Sequence, residues 1–419
     1  MDVSLRLEHG LLAVEDAHEV HAMVAVTAPA APVDRDRPPL RVALVLDRSG
    51  SMAGGPLEVV KRCAAFLVER LQPHDELALV AYDDEVDLLA ALAPVQASVL
   101  GEAISAIHPG GMTNLSGGWL KGVEELGRRN DGLRRVLLLT DGLANQGLTE
   151  PDTLVALAQR QSAQGVATTT LGFGDGFNEE LLTAMADAGR GTAHFIASPE
   201  DAPAAFAAEF SDLVSLVAQN VSVEIRPTDQ VEVVAVLNDH PSTPVAGGVQ
   251  VLAGDAYAGQ QLRVVFKLAL PSLAALGPAK VADVVLRFVS VGDEVAAHEV
   301  TYPLFVNLVS ADEAATAVPD AEVVEEVSVL LAARAVEDAR HRAEQGDLDG
   351  ARDVLHDAAE ALRGSAAGSA RADELLASAE ELTAVHTHLA SGAFSPMSSK
   401  ALHYNSRTMR RKRGGGPRP

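Results

Sequence analysis

Apolar and polar positions change their period several times along this chain, and each change marks a region. Residues 3–28 alternate as two strands, VSLRLEHGLLAVE and HEVHAMVAVTAP, and run into a linker rich in Pro and charge at 28–40. From residue 41 the alternation gives way to continuous apolar runs. RVALVLD (41–47) and LRRVLLLTD (133–141) have the pattern of strands covered on both faces. VATTTLGFG (166–174) reads as a third strand of the same kind, with ELALVAYDD and VDLLAAL as further strands. Helical spacing separates them: Val59, Val60, Cys63, Phe66, Leu67 and Leu71 share one face of 57–71. Further helices are expected at about 96–107, 116–129, 149–164, along NEELLTAMADAG and at 199–217. Strands alternating with helices imply a mostly parallel sheet with helices on both faces.

Between 218 and 312 the period returns to two. VSVEIRP, VEVVAVL, QLRVVFKLALP, KVADVVLRFVSV and HEVTYPLFVNLV are separated by Gly/Pro turns, as in an antiparallel sandwich. The N-terminal strands have no partner of their own, so residues 1–40 are expected to complete this sandwich, with 41–217 inserted as an α/β domain. Residues 318–391 are Ala-, Leu- and Glu-rich with about three helices, broken at GDLDG and GSAAGS. Residues 392–419, ending in RRKRGGGPRP, read as a disordered basic tail.

Bulk composition narrows the function. The 419 residues carry a net charge of −25, which argues against duplex nucleic acid or an anionic membrane as partner. No apolar run reaches the length of a membrane span, and the N-terminus lacks the apolar core of a signal peptide. A single cysteine, Cys63, excludes an intramolecular disulfide, and a cytoplasmic location is the expectation. Cys63 and Trp119 read as packing residues, although Trp119 follows a glycine-rich loop closely enough to approach its rim. Asp83, Asp84, Glu85 and Asp87 read as a solvated hairpin turn.

Chemistry is concentrated where the α/β strands end. In an open parallel sheet ligands gather at the carboxyl ends of the strands. DRSGS follows the first strand with Asp47, Ser49 and Ser51; PGGMTNLSGG (109–118) carries Thr113; Asp141 closes LLLTD and precedes Gly142. Any one cluster would pass as ordinary turn and cap chemistry. Together they offer three neutral hydroxyls and two carboxylates, the oxygen donors a hard divalent cation takes. A phosphate loop is excluded: Gly50 and Gly55 have the spacing, but Pro56 and Leu57 stand where Lys and Ser/Thr are required. An aspartyl nucleophile would want a second acid two residues beyond Asp47, and Ser49 occupies that place.

The triplet DRSGS, the threonine of GGMTNL and the aspartate of TDG together resemble the metal-ion-dependent adhesion site of the von Willebrand factor type A domain. The resemblance covers about 41–217 and implies a Rossmann-like domain with Mg²⁺ or Mn²⁺ held by Asp47, Ser49, Ser51, Thr113 and Asp141. It further implies direct binding by the hydroxyls, at least one aspartate acting through water, and an open position for a partner's Asp or Glu. On that basis the protein is expected to be a non-enzymatic, metal-dependent interaction module. An adaptor for an AAA+ ATPase or metal chelatase, self-association through an acid of a second copy, and a Mg²⁺-dependent hydrolase or phosphotransferase are the alternatives. By analogy with related domains, the helix at 199–217 is expected to move with metal geometry.

Overall fold

A computed structural model describes residues 1–30, 39–129, 132–174, 176–198, 200–291, 296–390 and 394–411, with the side chains of 390, 408 and 411 excepted. Chain contacts divide it into two compact units, Met1–Ala31 with Val217–Pro419, and Pro32–Leu216. Most of the expected linker, 31–38, lies outside the described residues.

The first unit starts with strands β1 (Asp2–Leu7), β2 (Leu11–Ala13) and β3 (His18–Thr27). The second unit is inserted after β3. It comprises β4 (Leu40–Asp47), α1 (Gly55–Arg70), β5 (Glu76–Tyr82), β6 (Val86–Pro94), α2 (Ala97–Ser105), α3 (Leu115–Leu126) and β7 (Leu133–Thr140). It continues with α4 (Pro151–Ala163), β8 (Val166–Phe173), α5 (Glu179–Ala188), β9 (Arg190–Ile196) and α6 (Ala202–Val214). The chain then returns to the first unit through β10 (Leu216–Pro227), β11 (Glu232–Val236), β12 (Ser242–Val245), β13 (Gly248–Tyr257), β14 (Gln261–Leu270), β15 (Gly277–Ser290) and β16 (Ala297–Val309). Helices α7 (Ala311–Ala314), α8 (Ala321–Glu344), α9 (Leu348–Ala366), α10 (Ala372–Ala390) and α11 (Pro396–Arg411) end it.

In the inserted unit one sheet runs β6-β5-β4-β7-β8-β9. All neighbours are parallel except β6, which is antiparallel to β5. Every residue of β4, β5 and β8 is buried, which explains their unbroken apolar runs: helices cover both faces. Strand order reverses at β4, whose chain successor β5 lies on one side and whose neighbour β7 lies on the other. A crevice opens at such a reversal, and it falls between the residues that follow β4 and β7.

In the first unit the sheets are β1-β3-β14-β11 and β12-β13-β10-β15-β16-β2. The N-terminal strands therefore join strands from the far end of the sequence: β3 pairs with β14 over Gln261↔Thr27 to Leu270↔His18. Period-two alternation assigns the faces. Val20, Ala22, Val24 and Val26 of β3 face the core shared with Val223, Ile225, Val284 and Leu286 of the other sheet. Met23 and Val265 face the opposite way and pack against Val323, Val327 and Leu330 of α8.

Three sequence expectations change here. The hairpin β12–β13 was not anticipated, because Pro244, Gly247, Gly248 and Gly254 interrupt its alternation. The segment 392–419, expected to be disordered, contains the helix α11 instead. Its basic residues find acids elsewhere in the unit: Arg407 lies 2.8 Å and Arg410 3.4 Å from Asp239, and Ser399 donates to Glu344 at 2.6 Å. Leu402 and Met409 enter the helical core. Residues 412–419 lie outside the described residues. The helix expected at 199–217 ends at Val214, and β10 begins at Leu216.

Candidate metal centre

Asp47 is the last residue of β4 and fully buried. Its Oδ1 accepts the Ser49 amide at 2.8 Å, and its Oδ2 accepts the Thr140 hydroxyl at 2.6 Å and the Tyr82 hydroxyl at 3.5 Å. The carboxylate thus bends the chain back after β4 and is oriented by the ends of two neighbouring strands. Ser49 Oγ lies 3.2 Å from Ser51 Oγ, and Ser51 Oγ donates to Asp141 Oδ1 at 2.7 Å. Four of the five residues are joined in a single chain of contacts.

Thr113 is placed by its backbone. Its amide donates to Asn145 Oδ1 at 2.8 Å, and its carbonyl accepts the amides of Asn145 and Gln146 at 3.2 and 3.3 Å. This ties the threonine loop to the loop that follows Asp141. Gly142 fixes how close they come: a Cβ there would lie 3.2 Å from Thr113 Oγ1 and 3.7 Å from Ser51 Oγ. The structure thus brings all five sequence-predicted residues to the crevice between β4 and β7.

A sixth residue assembles this site, and sequence reasoning missed it. Asp83 was read as part of a solvated turn but is only 6% exposed. Its Oδ1 accepts from Arg48 Nη2 at 3.1 Å and the Glu85 amide at 2.9 Å, and its Oδ2 accepts the Gly111 amide at 3.1 Å. A Cβ at Gly110 would overlap Asp83 Oδ2 at 1.6 Å, so the glycine loop can lie against this carboxylate only without side chains. Two backbone bonds complete the join, Gly50 N to Gly111 O at 2.9 Å and Gly110 N to Arg48 O at 2.7 Å. The acid-after-strand pattern of AYDD is a signal for such a clamp, but its partners are too distant in sequence to read. Trp119 is fully buried, and its Nε1 donates to Thr168 Oγ1 at 3.1 Å, so it packs in the core and does not reach the rim.

Electrostatics set the buried Asp47 and the half-buried Asp141 apart from a charge-paired buried acid such as Glu209. Burial pushes the Asp47 carboxyl up to about 6, against the lowering effect of the Ser49 and Thr140 hydrogen bonds, and the Asp141 charge adds to the rise. Burial also raises Asp141, opposed by its bond from Ser51. Among the described residues, no Lys, Arg or His forms an ion pair with either. Two adjacent, partly desolvated carboxylates without a counter-cation, beside three hydroxyl oxygens, match the donor set of a hard divalent ion. The residues therefore fit a bound divalent cation.

Fold and site together define a doubly wound α/β domain with an oxygen-rich cluster of side chains at its topological switch point. Residues 42–208 match the family model described as von Willebrand factor type A domain, so the inserted unit carries a domain of that type. Over 376 residues it is 29% identical to an uncharacterized protein, sll0103, from a Synechocystis strain, covering 86% of this chain and 87% of the relative. Two solved structures share its fold at 18% identity. One is a von Willebrand factor type A protein from Catenulispora acidiphila, with a TM-score of 0.71 and 89% of each chain covered. The other is the ArnB paralog VWA2 from Sulfolobus acidocaldarius, with a TM-score of 0.64, covering 100% of this chain and 99% of that one. Their coverage extends well beyond the inserted domain, so the β-sandwich and helices belong to the shared architecture.

Proposed function

We propose that this protein is a metal-dependent docking module whose site accepts a carboxylate from a partner's Asp or Glu. Asp47, Ser49, Ser51, Thr113 and Asp141 would hold Mg²⁺ or Mn²⁺. When bound, the metal supplies a localised positive charge that attracts an outside oxyanion. The protein's own part is to orient the donors: Thr140 and Tyr82 fix Asp47, Asp83 fixes the glycine loop, and Asn145 fixes Thr113. With three neutral hydroxyls as direct donors and at least one of the two acids acting through water, the direct donors would leave the ion net positive charge for a partner's acid.

The observation that carries this reading is the convergence of three hydroxyls and two uncompensated acids from three separate loops. The reading is non-enzymatic. No helix among the described residues is long and apolar enough to cross a membrane. A pull-down with the tagged full chain tests the proposal, comparing wild type with Asp47→Ala, each with Mg²⁺ and with EDTA. The expected partner is retained only by wild type in Mg²⁺. Partners retained equally in all four samples would show that recognition lies elsewhere.

A further inference from the structure

A cavity of about 340 Å³ adjoins the five-residue cluster. Ser51 and Asp141 line it, so it is continuous with the cation cradle. Its other walls include Pro56 and Val59 of α1, Phe173 at the end of β8 and Ile196 at the end of β9. All four are apolar, and the volume is in the range of pockets that take organic groups. Val59 also lines a second cavity of about 470 Å³, which it shares with Cys63 and Phe66 and with the charged Arg62 and Glu200. The loops that frame the cradle add exposed apolar residues: Met112 is 54%, Leu143 55% and Leu148 44% exposed. Around a site built from acids and hydroxyls, these three side chains are apolar surface left exposed, beside a cavity whose apolar walls Val59, Phe173 and Ile196 belong to the core.

We infer that the acid bound at this site is flanked in the partner by a bulky apolar side chain that fills the cavity beside Ser51 and Asp141. The ligand class is an acidic peptide segment with Leu, Ile, Met or Phe next to its Asp or Glu. This rests on the metal-docking reading, and it adds selectivity. A lone carboxylate on a metal would not distinguish one acidic protein from another, whereas an adjoining apolar pocket does. Burying several methylenes that alanine lacks gives a preference of about tenfold or more.

Dye-labelled, capped Gly/Ser peptides with a single Asp serve as the probe. The neighbouring residue is Ala, Leu or Phe, placed on either side, and binding to the full chain is read by fluorescence anisotropy in Mg²⁺ and in EDTA. The expected result is that Leu or Phe on one side tightens binding about tenfold or more over Ala, with all binding lost in EDTA. Val59→Phe, which fills the cavity from α1, lowers that ratio toward one. Pro56→Phe, at a half-buried position, repeats the test if the first variant does not fold. Equal, EDTA-sensitive binding of the Ala, Leu and Phe peptides would overturn this inference and leave the docking reading standing. Leu-peptide binding that survives both EDTA and replacement of its Asp by Asn would overturn the docking reading itself. Failure of every peptide to bind in Mg²⁺ would overturn the inference.

Discussion

Asp47 and Glu209 are both buried acids of the inserted domain, and they are treated in opposite ways. Glu209, on α6, lies 3.0 Å from Arg135 of β7 and 3.0 Å from His194 of β9, and accepts from Thr169 of β8 at 2.8 Å. Burial alone would raise it, but His194, Arg135 and Thr169 outweigh that and hold its carboxyl at about 2. Asp47 has hydroxyl and amide donors but no cation, and stands at about 6. A buried acid with its own counter-charge is a structural joint, here holding α6 to three strands. A buried acid without one is a cost to the fold unless something from outside supplies the charge. The same contrast bears on the expected mobility of α6: a helix anchored through Glu209 shifts only if that network breaks or moves with it.

Removing the two acids should therefore have opposite consequences. Glu209→Ala removes the buried carboxylate shared by Arg135, His194 and Thr169 and should destabilise the domain by about 3–5 kcal/mol. Asp47→Asn, in EDTA, should leave stability unchanged or raise it. The one tryptophan of the chain, Trp119, is buried in this domain, so its fluorescence during urea unfolding reports the domain by itself.

The pH responses should differ in sign as well. Glu209 is depressed from 4.5 to about 2, so its contribution is fully present above pH ~4.5 and lost as pH falls toward 2, an amount of about 3 kcal/mol. Asp47 is raised from 3.8 to about 6, so in metal-free protein its burial costs stability as pH rises between those values. Urea midpoints of wild type, Glu209→Gln and Asp47→Asn across pH 3–7 separate the two slopes. Parallel curves for the two variants would erase the distinction.

Metal should convert the uncompensated site into a stabilising one. Mg²⁺ at about a hundred times its dissociation constant should add about 2.7 kcal/mol to wild type and nothing to Asp47→Asn or Asp141→Asn. Glu209→Gln, if folded, should keep the metal response. A smaller effect is expected at the clamp: Asp83→Ala should weaken Mg²⁺ binding by about 10–100-fold, read by calorimetry, through a loosened glycine loop.

How much of this was legible in the sequence depended on the range of the interactions. The strands ending in Asp47 and Thr140 were plain, because burial on both faces writes itself as an unbroken apolar run. Asp47, Ser49, Ser51 and Asp141 were legible because they stand at or just after such an end, and Thr113 because a glycine-rich loop carries it. Asp83 and Glu209 were not: an acid in a turn or on a helix looks solvated until Arg48 or Arg135 arrives from a distant strand. Helix α11 was hidden for the same reason. Its Lys, Arg and Ser residues resemble a solvated tail, and the acids and apolar surface that order it lie on the β11–β12 connection and on α8, α9 and α10. Local periodicity is written in the chain, whereas charge pairing between distant segments is not.

The most direct measurement is anomalous diffraction from a crystal of the full chain soaked in Mn²⁺. The account predicts one strong peak in the crevice between β4 and β7, within bonding reach of the Ser49, Ser51 and Thr113 hydroxyls and absent from an Asp47→Asn crystal. A fully soaked crystal with no density among those hydroxyls, or with its manganese bound only elsewhere, would contradict it.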